Sequence, residues 1–376
     1  MSNSGMVFQQ ITDIRNQLRC LGARPAHEQR ILRLWSQAKP QNSGSRPLES
    51  FMPAALRQAL PQLSETLSNL LRLQSTHPAE DGSVRWLLAL QDGQTVETVG
   101  LPRDGVCVSS QVGCAVGCVF CMTGKEGLIR QVGSAEIVAQ VAFARLHRPV
   151  KKVVFMGMGE PAHNLDNVME AIDVLGTVGN VGHKSLVFST VGDWRVFERL
   201  PLGLVKPALA LSLHSTRADL RAELLPRAPK MSPEELVEAA ETYAQQTGYP
   251  IQYQWTLLEG VNDTQEEMDG IVRLLRQIRI DEHDSLQRCR QFAFQAPLMG
   301  ARGRNCAHIA SPRYFDEAEK FCRPRCGGWL WATACPSSSS RFHEAAFCHQ
   351  ALQACTDDGG TSSLCQSKAS YIFVVV

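Results

Sequence analysis

The 376-residue sequence contains no run of 18 or more apolar residues, and its start lacks the charged segment and apolar core that mark an export signal. The final Tyr371-Ile372-Phe373-Val374-Val375-Val376 is far too short to cross a bilayer. No membrane contact is expected, and the cytoplasm is the expected compartment. An excess of charge is missing too: 38 Lys and Arg stand against 37 Asp and Glu, a net of +1. The total therefore does not demand a polyanionic partner, although a neutral total can hide a basic cleft. Cysteine is absent from 122–288, yet the chain has 13 cysteines: Cys20, four from Cys107 to Cys121, and eight from Cys289 to Cys365. A secreted disulfide framework would spread its cysteines and follow a signal peptide, so the first cluster reads as metal or redox chemistry.

With 44% hydrophobic residues, this length allows two or three folded units. Residues 1–85 show helical periodicity at Ile11, Ile14 and Leu18, at Ile31, Leu32, Leu34 and Trp35, and from Leu56 to Leu73, which predicts a small, mildly basic helical domain. From Val84 onward, short apolar runs at 86–90, 105–109, 153–158, 185–190, 208–213 and 251–258 alternate with helical stretches at 135–146, 165–175, 218–224, 233–247 and 264–276. That alternation predicts an α/β fold with right-handed βαβ units, a full or partial (β/α)6 barrel over 86–276, whose chemistry sits at the C-terminal ends of the strands. Beyond Arg276 the periodicity fails. The segment 277–376 carries a serine run, a Gly- and Ser-rich stretch and scattered cysteines, and predicts no confident fold.

Cys114, Cys118 and Cys121 form a CxxxCxxC triplet just after an expected strand. Three thiolates on one loop can wrap three corners of a [4Fe–4S] cube and leave the fourth iron open. Radical S-adenosylmethionine (SAM) enzymes use that open iron to hold the amino and carboxylate groups of SAM. A structural zinc is the alternative, but it would want a fourth Cys or His nearby, and none occurs in 122–146. Phe120 suits a loop that shields a cluster from water. Gly157-Met158-Gly159-Glu160-Pro161 ends an apolar strand in a turn where a carboxylate could meet the SAM ammonium. Ser189 and Ser212-Leu213-His214 close the next two strands on the same expected face. Taken singly, a Gly-Glu-Pro turn is common and His214 reads more readily as a satisfied core histidine than as a ligand.

Taken together, these residues resemble the radical SAM RNA adenine methyltransferases of the RlmN/Cfr type. The likeness runs from about Val96 to Arg276, through Val96-Glu97-Thr98-Val99, Cys107-Val-Ser-Ser-Gln-Val-Gly-Cys114, the triplet, Gly157–Pro161, Phe188-Ser189-Thr190, Leu211-Ser212-Leu213-His214 and Gly260-Val261-Asn262-Asp263. The resemblance implies that one SAM methylates a cysteine near the C-terminus, and that a second, cleaved reductively, yields a 5′-deoxyadenosyl radical that takes a hydrogen from the S-methyl group. The carbon radical then adds to C2 or C8 of an adenine in ribosomal RNA, with transfer RNA as a further candidate. By the same resemblance Cys114, Cys118 and Cys121 hold the cluster. Gly159, Glu160, Ser189, Ser212, Leu213 and His214 line the SAM site, Glu97 accepts the ring proton, and Cys107 is the resolving cysteine of a transient disulfide. An electron donor such as flavodoxin and a monomeric state are implied as well. Without the resemblance, Glu97 would read as a strand-surface residue and Cys107 as a core cysteine. The other functions kept open are a radical SAM enzyme acting on a peptide or small molecule and a catalytically dead RNA-binding protein.

The family's last barrel strand, of the form Asn-Leu-Ile-Pro-x-Asn, and its methyl-carrier string Ala-Cys-Gly-Gln-Leu are both missing. Codons that spell Trp329-Leu330-Trp331-Ala332-Thr333-Ala334-Cys335, read one nucleotide later, allow Gly-Cys-Gly-Gln-Leu-Arg, and the two Trp codons force both glycines. The same shift over 281–287 allows Met-Asn-Met-Ile-Pro-Tyr-Asn. Residues 277–376 are thus expected to be a frameshifted reading of a normal C-terminus. The rival reading is a diverged tail whose Cys322, Cys326 and Cys335 bind an auxiliary cluster.

Overall fold

The computed structural model describes residues 8–276 and 370–375, with Arg276 and the second stretch as backbone alone. The expectations for the rest of 277–376, including the shifted frame and the auxiliary cluster, lie outside the described residues. The chain divides into two compact units, Met1–Leu209 with Arg227–Pro229, and Ala210–Pro226 with Lys230–Val376.

The first unit opens with α1 (Ile11–Cys20), α2 (Pro25–Ser36) and α3 (Ala54–Ser68). Spacing at i, i+3 and i+7 puts Ile11, Ile14 and Leu18 on one fully buried face of α1, and each such side chain contributes roughly 1.5–3 kcal/mol. The helix expected over 56–73 stops at Ser68. Leu71–Pro78 is instead strand β1, paired antiparallel with β2 (Val84–Leu90), so partner pairing overrides the local apolar spacing. There follow β3 (Thr95–Leu101), β4 (Gly105–Cys107), the hairpin strands β5 (Gln111–Gly113) and β6 (Leu128–Gln131), α4 (Ser134–His147), β7 (Lys152–Phe155), α5 (Leu165–Gly176), β8 (Leu186–Thr190) and α6 (Trp194–Arg199). β2, β3 and β4 pair antiparallel, whereas β4, β7 and β8 run parallel, with Cys107 level with Val154 and Phe155 level with Phe188. β8 is buried along its whole length, as a parallel strand covered on both faces must be. α4 packs against α2, α5, β1 and β3, and is buried on nearly every side. The Ile11 N–H donates to Ser134 Oγ at 2.8 Å, which ties α1 to the first turn of α4.

In the second unit β9 (Ala208–Ser212), which starts at the division, runs parallel to β10 (Gln252–Leu257). α7 (Ala218–Leu224), α8 (Pro233–Thr247) and α9 (Gln265–Arg276) complete it. Ser232 and Glu235 form a reciprocal capping box at the start of α8, and Gly248 ends the helix in the left-handed region. The far edge of β10 pairs antiparallel with β11 (Ser370–Val375), an element not expected from the sequence. The expected α/β architecture with parallel strands is present. No helix among the described residues is long and apolar enough to cross a membrane.

Candidate functional site

The cysteine triplet hangs from the β5–β6 hairpin. Gly113 sits at φ +75°, and a Cβ there would lie 2.0 Å from the Gly127 carbonyl oxygen, so the loop can close at this point only on glycine. Cys114 N–H donates to that same carbonyl at 2.9 Å, and Cys121 N–H donates to Cys118 O at 3.0 Å, which folds 114–127 back on itself. Arg130 anchors the hairpin from below, with two nitrogens on the buried Glu136 carboxylate at 2.9 Å and its Nε on Asp92 at 2.6 Å.

None of the three cysteines is in a disulfide; Cys114 is buried, Cys118 and Cys121 half-buried. Burial pushes the Cys114 and Cys118 thiols up from the ordinary range, and the negative charge of the other cysteines and of Glu160 adds to the effect. Four acidic groups thus act on one another at one spot, an arrangement that a cationic centre would stabilise. Among the described residues, no three His, Cys, Asp or Glu side chains converge as the ligands of a single ion do. Three cysteine thiols on one loop, with no fourth Cys or His in 122–146, suit three corners of a cubane better than the closed four-ligand shell of a structural zinc.

Ser109, Ser110 and Gln111 join this loop to the neighbouring strand ends. Ser109 Oγ donates to Glu97 O at 2.5 Å and accepts from Met158 N at 2.9 Å. Ser110 O accepts from Asn164 Nδ2 at 2.7 Å, and Gln111, fully buried, accepts the Glu160 N–H on its Oε1 at 2.8 Å. Gly159, at φ +103°, lets that turn pass so close to Gln111 that a Cβ would meet its side chain at 2.5 Å. The buried Glu160 carboxylate accepts from Ala162 N at 3.1 Å and from Val191 N at 3.0 Å, bridging the ends of β7 and β8. Burial raises its pKa to about 7, against the opposing pull of the Thr190 hydroxyl and those two amides. Ser189, one residue before Thr190, is buried in β8.

Glu97 lies in β3 next to Thr98, whose hydroxyl faces α4 and donates to Gln140 Oε1 at 2.8 Å; alternation turns Glu97 to the opposite face of the sheet. Its backbone N–H points at Met158 Sδ, 3.3 Å away, and its carboxylate receives Arg85 Nη1 at 2.6 Å. Cys107 is buried and in register with Val99, two residues from Glu97 along β3, so it shares the Glu97 face. Glu97, Cys107, Gly159, Glu160, Ser189 and the triplet therefore all belong to the first unit.

Ser212, Leu213 and His214 belong to the second. Ser212 Oγ donates to Gln254 Oε1 at 3.1 Å. The carbonyls of Ser212 and Leu213 accept from the buried Arg221 at 3.3 and 3.1 Å, and that of His214 from Asn262 Nδ2 at 2.8 Å. His214 adopts φ +62°, uncommon outside glycine, and its Nδ1 accepts from Thr256 N at 3.0 Å, which leaves the proton on Nε2. Burial, with Arg221 adding to it, lowers its pKa to about 3. Sequence reading missed the residues that brace these turns: Gln140 and Asn164 in the first unit, and Arg221, Asn262 and Glu267 in the second. Asn262 alone carried a signal, inside Gly260-Val261-Asn262-Asp263.

Comparison with known proteins adds to this geometry. Residues 108–275 match the signature of the radical SAM superfamily. A probable RNA methyltransferase of Azoarcus sp. (strain BH72) is 71% identical over 266 residues, 71% of this chain and 77% of that protein. One from Leptothrix cholodnii is 72% identical over 262 residues, covering 70% and 76% respectively. A crystal structure of a radical SAM methyltransferase from Sphaerobacter thermophilus superposes with a TM-score of 0.59 at 30% identity, over 72% of this chain and 81% of the other.

Proposed function

The chain belongs to the radical SAM superfamily as a SAM-dependent methyltransferase with a [4Fe–4S] cluster, and from that premise we propose that it methylates an adenine, at C2 or C8, in ribosomal RNA or transfer RNA. The relatives named as probable RNA methyltransferases support the RNA substrate. The observation that carries the reading is the Ser109-Ser110-Gln111 junction, because it links the cysteine loop, the Glu160 turn and the Glu97 strand through short hydrogen bonds.

When bound, the cluster and SAM supply the reducing electron, the radical and the methyl group. This chain's residues do the rest. Cys114, Cys118 and Cys121 hold three corners of the cluster. Glu160, buried and bridged to Val191, offers negative charge to the SAM ammonium beside Gly159 and Ser189. Glu97 accepts the adenine ring proton on the carboxylate that Arg85 orients, and Cys107 attacks the carrier sulfur, so that an S–S bond forms as the C–S bond to the adenine adduct breaks; the carbon leaves with the electron pair and takes a proton to become the methyl group, and a reducing cytoplasm reopens the disulfide left on the protein. The roles of Ser212, Leu213 and His214 at the SAM site rest on the resemblance; what supports them is that His214 keeps an unusual backbone conformation, with Thr256 N–H donating to its ring and Asn262 Nδ2 to its carbonyl. A monomer acting in the cytoplasm with a flavodoxin-like donor completes the proposal.

The printed sequence past Arg276 is read as out of frame. The superfamily match ends at 275, and the two relatives quoted match about 70% of this chain. The methyl-carrier cysteine is then missing from this chain as written. Purified anaerobically, it should load a cluster that absorbs near about 400 nm and leave ribosomal and transfer RNA unmethylated, whereas the gene restored to frame should yield methyladenine by mass spectrometry. Methyladenine made by the printed chain would refute the frame reading. Sequencing the gene around the Arg276 codon tests it directly, and codons incompatible with the shifted strings would end it.

A further inference from the structure

Trp194 is the one exposed Phe, Tyr or Trp among the described residues, with 49% of its surface open. Other strongly exposed apolar side chains of the first unit, Val119, Ile129, Leu202 and Leu204 among them, are aliphatic and present no flat ring. Tryptophan is highly buried on average, so the place of this one matters. It opens α6 four residues after β8 ends, and the turn that leads to it is tied to the Glu160 turn. Val191 N–H donates to the Glu160 carboxylate at 3.0 Å, Gly192 N–H to Thr190 Oγ1 at 3.0 Å, and Arg195 Nη2 to Ala162 O at 3.3 Å. Gly192 turns the chain at φ +103°, and Asp193 caps α6 by accepting from Arg195 N at 2.9 Å. Half-buried Phe197 props the indole edge-on, with 6.3 Å between ring centroids and 68° between planes. A firmly held ring therefore stands beside the turn assigned to the SAM ammonium. Arg195 pairs with Asp193 at 2.7 Å and Arg199 with Asp166 at 2.6 Å. Glu198, exposed and one helical turn on from Trp194, is in no ion pair among the described residues.

We propose that Trp194 and Glu198 form a subsite for one unpaired base of the substrate RNA, a base that carries an exocyclic amino group and flanks the adenine being methylated. The indole stacks on the base and the carboxylate accepts a hydrogen bond from the amino group. The proposal rests on the reading of the chain as an RNA adenine methyltransferase. Sequence-specific proteins read RNA by splaying unpaired bases onto aromatic side chains and bonding their edges. Glu and Asp accept from the amino group of cytosine in the same way. Both arginines beside the ring are matched by acids, so the platform offers an uncharged face that suits a base and not a track for phosphates. A protein partner is disfavoured, because the ring is hemmed by Arg195, Glu198 and Arg199, whereas the core of a protein interface is depleted of charge.

The test uses the full chain with its cluster reconstituted and a hairpin RNA whose loop adenine is flanked on either side by 2-aminopurine, an amino-bearing base whose fluorescence is quenched by stacking. A fully paired duplex of the same stem serves as the control. Trp194→Ala should weaken hairpin binding about tenfold, abolish the quenching, and leave duplex binding, SAM binding and cluster absorbance unchanged. Trp194→Phe should keep the quenching and most of the affinity. Uridine at both flanking positions should cost the wild type about threefold and cost Glu198→Ala nothing. Hairpin affinity and quenching that survive Trp194→Ala would overturn the proposal, as would an equal loss on the duplex or a loss of SAM binding in step. Slower reduction of the cluster by flavodoxin with hairpin binding intact would assign the ring to a protein partner and overturn it too. A wild-type chain that binds neither RNA would instead refute the reading on which the proposal rests.

Discussion

The strand ends of the two units spend their polar groups differently. In the first unit the junction Ser109-Ser110-Gln111 uses backbone groups and one amide side chain to fix the turns, and leaves the thiols of Cys114, Cys118 and Cys121 outside any disulfide. In the second unit Ser212-Leu213-His214 is itself fixed: all three carbonyls are taken by Arg221 and Asn262, and the His214 ring is taken by the Thr256 amide. Glu267, buried in α9, adds bonds to Ser215 Oγ at 2.6 Å and to Thr216 N and Oγ1 at 2.7 Å. Two motifs that look alike as polar strings at strand ends therefore differ in kind. One presents reactive groups and the other holds a shape.

Changing a presented group should cost chemistry, and changing a shaping group should cost stability. The largest effect is expected for Cys118→Ala, which should abolish the absorbance near about 400 nm and the iron that goes with it, with little change in thermal midpoint. Gly113→Ala comes next. Its Cβ would overlap the Gly127 carbonyl at a positive φ, so stability should fall by at least about 1–3 kcal/mol and cluster loading should fall with it, both measurable on one anaerobic preparation. Asn262→Ala should do the reverse of Cys118→Ala. It strands the Leu258 amide and the carbonyls of His214 and Thr256, at roughly 2–4 kcal/mol, while iron content stays at the wild-type level.

A last difference between the two regions is the sign of their pH dependence. His214, held neutral with its pKa near 3, binds fewer protons folded than unfolded, so its contribution to stability rises with pH between about 3 and 6.5. Glu160, raised to about 7, binds more protons folded than unfolded, so its contribution falls as pH rises from about 4.5 to 7. Each slope is at most about 1.4 kcal/mol per pH unit. Denaturant titrations at several pH values should show His214→Gln removing the acid-side loss and Glu160→Gln removing the loss toward neutrality. Identical profiles for the two variants would contradict the assignment of opposite signs.

Much of the candidate site in the first unit was legible in the sequence because its groups are local. The triplet fits within eight residues, and the alternation of apolar runs with helical stretches placed Glu160, Ser189 and Ser212 at strand ends. What stayed hidden depends on partners far along the chain. Gln140 braces Ser109 across 31 residues, Asn164 braces Ser110 across 54, and Glu267 meets Thr216 across 51. No window of local spacing contains such pairs. β1 escaped for the same reason, since Leu71 and Leu73 continue the apolar spacing of α3 until Leu90 and Leu88 claim them as strand partners. β5 and β6 are a pair of short strands closed by the cysteine loop, too brief for periodicity to register.

The central claim, a cluster with an open iron on the Cys114–Cys121 loop beside Glu160, is tested most directly by metal analysis and electron paramagnetic resonance of the anaerobically purified full chain. About four irons per chain and a reduced-cluster signal that changes when SAM is added are the predicted result. One zinc per chain on the triplet, or a signal indifferent to SAM, would contradict it.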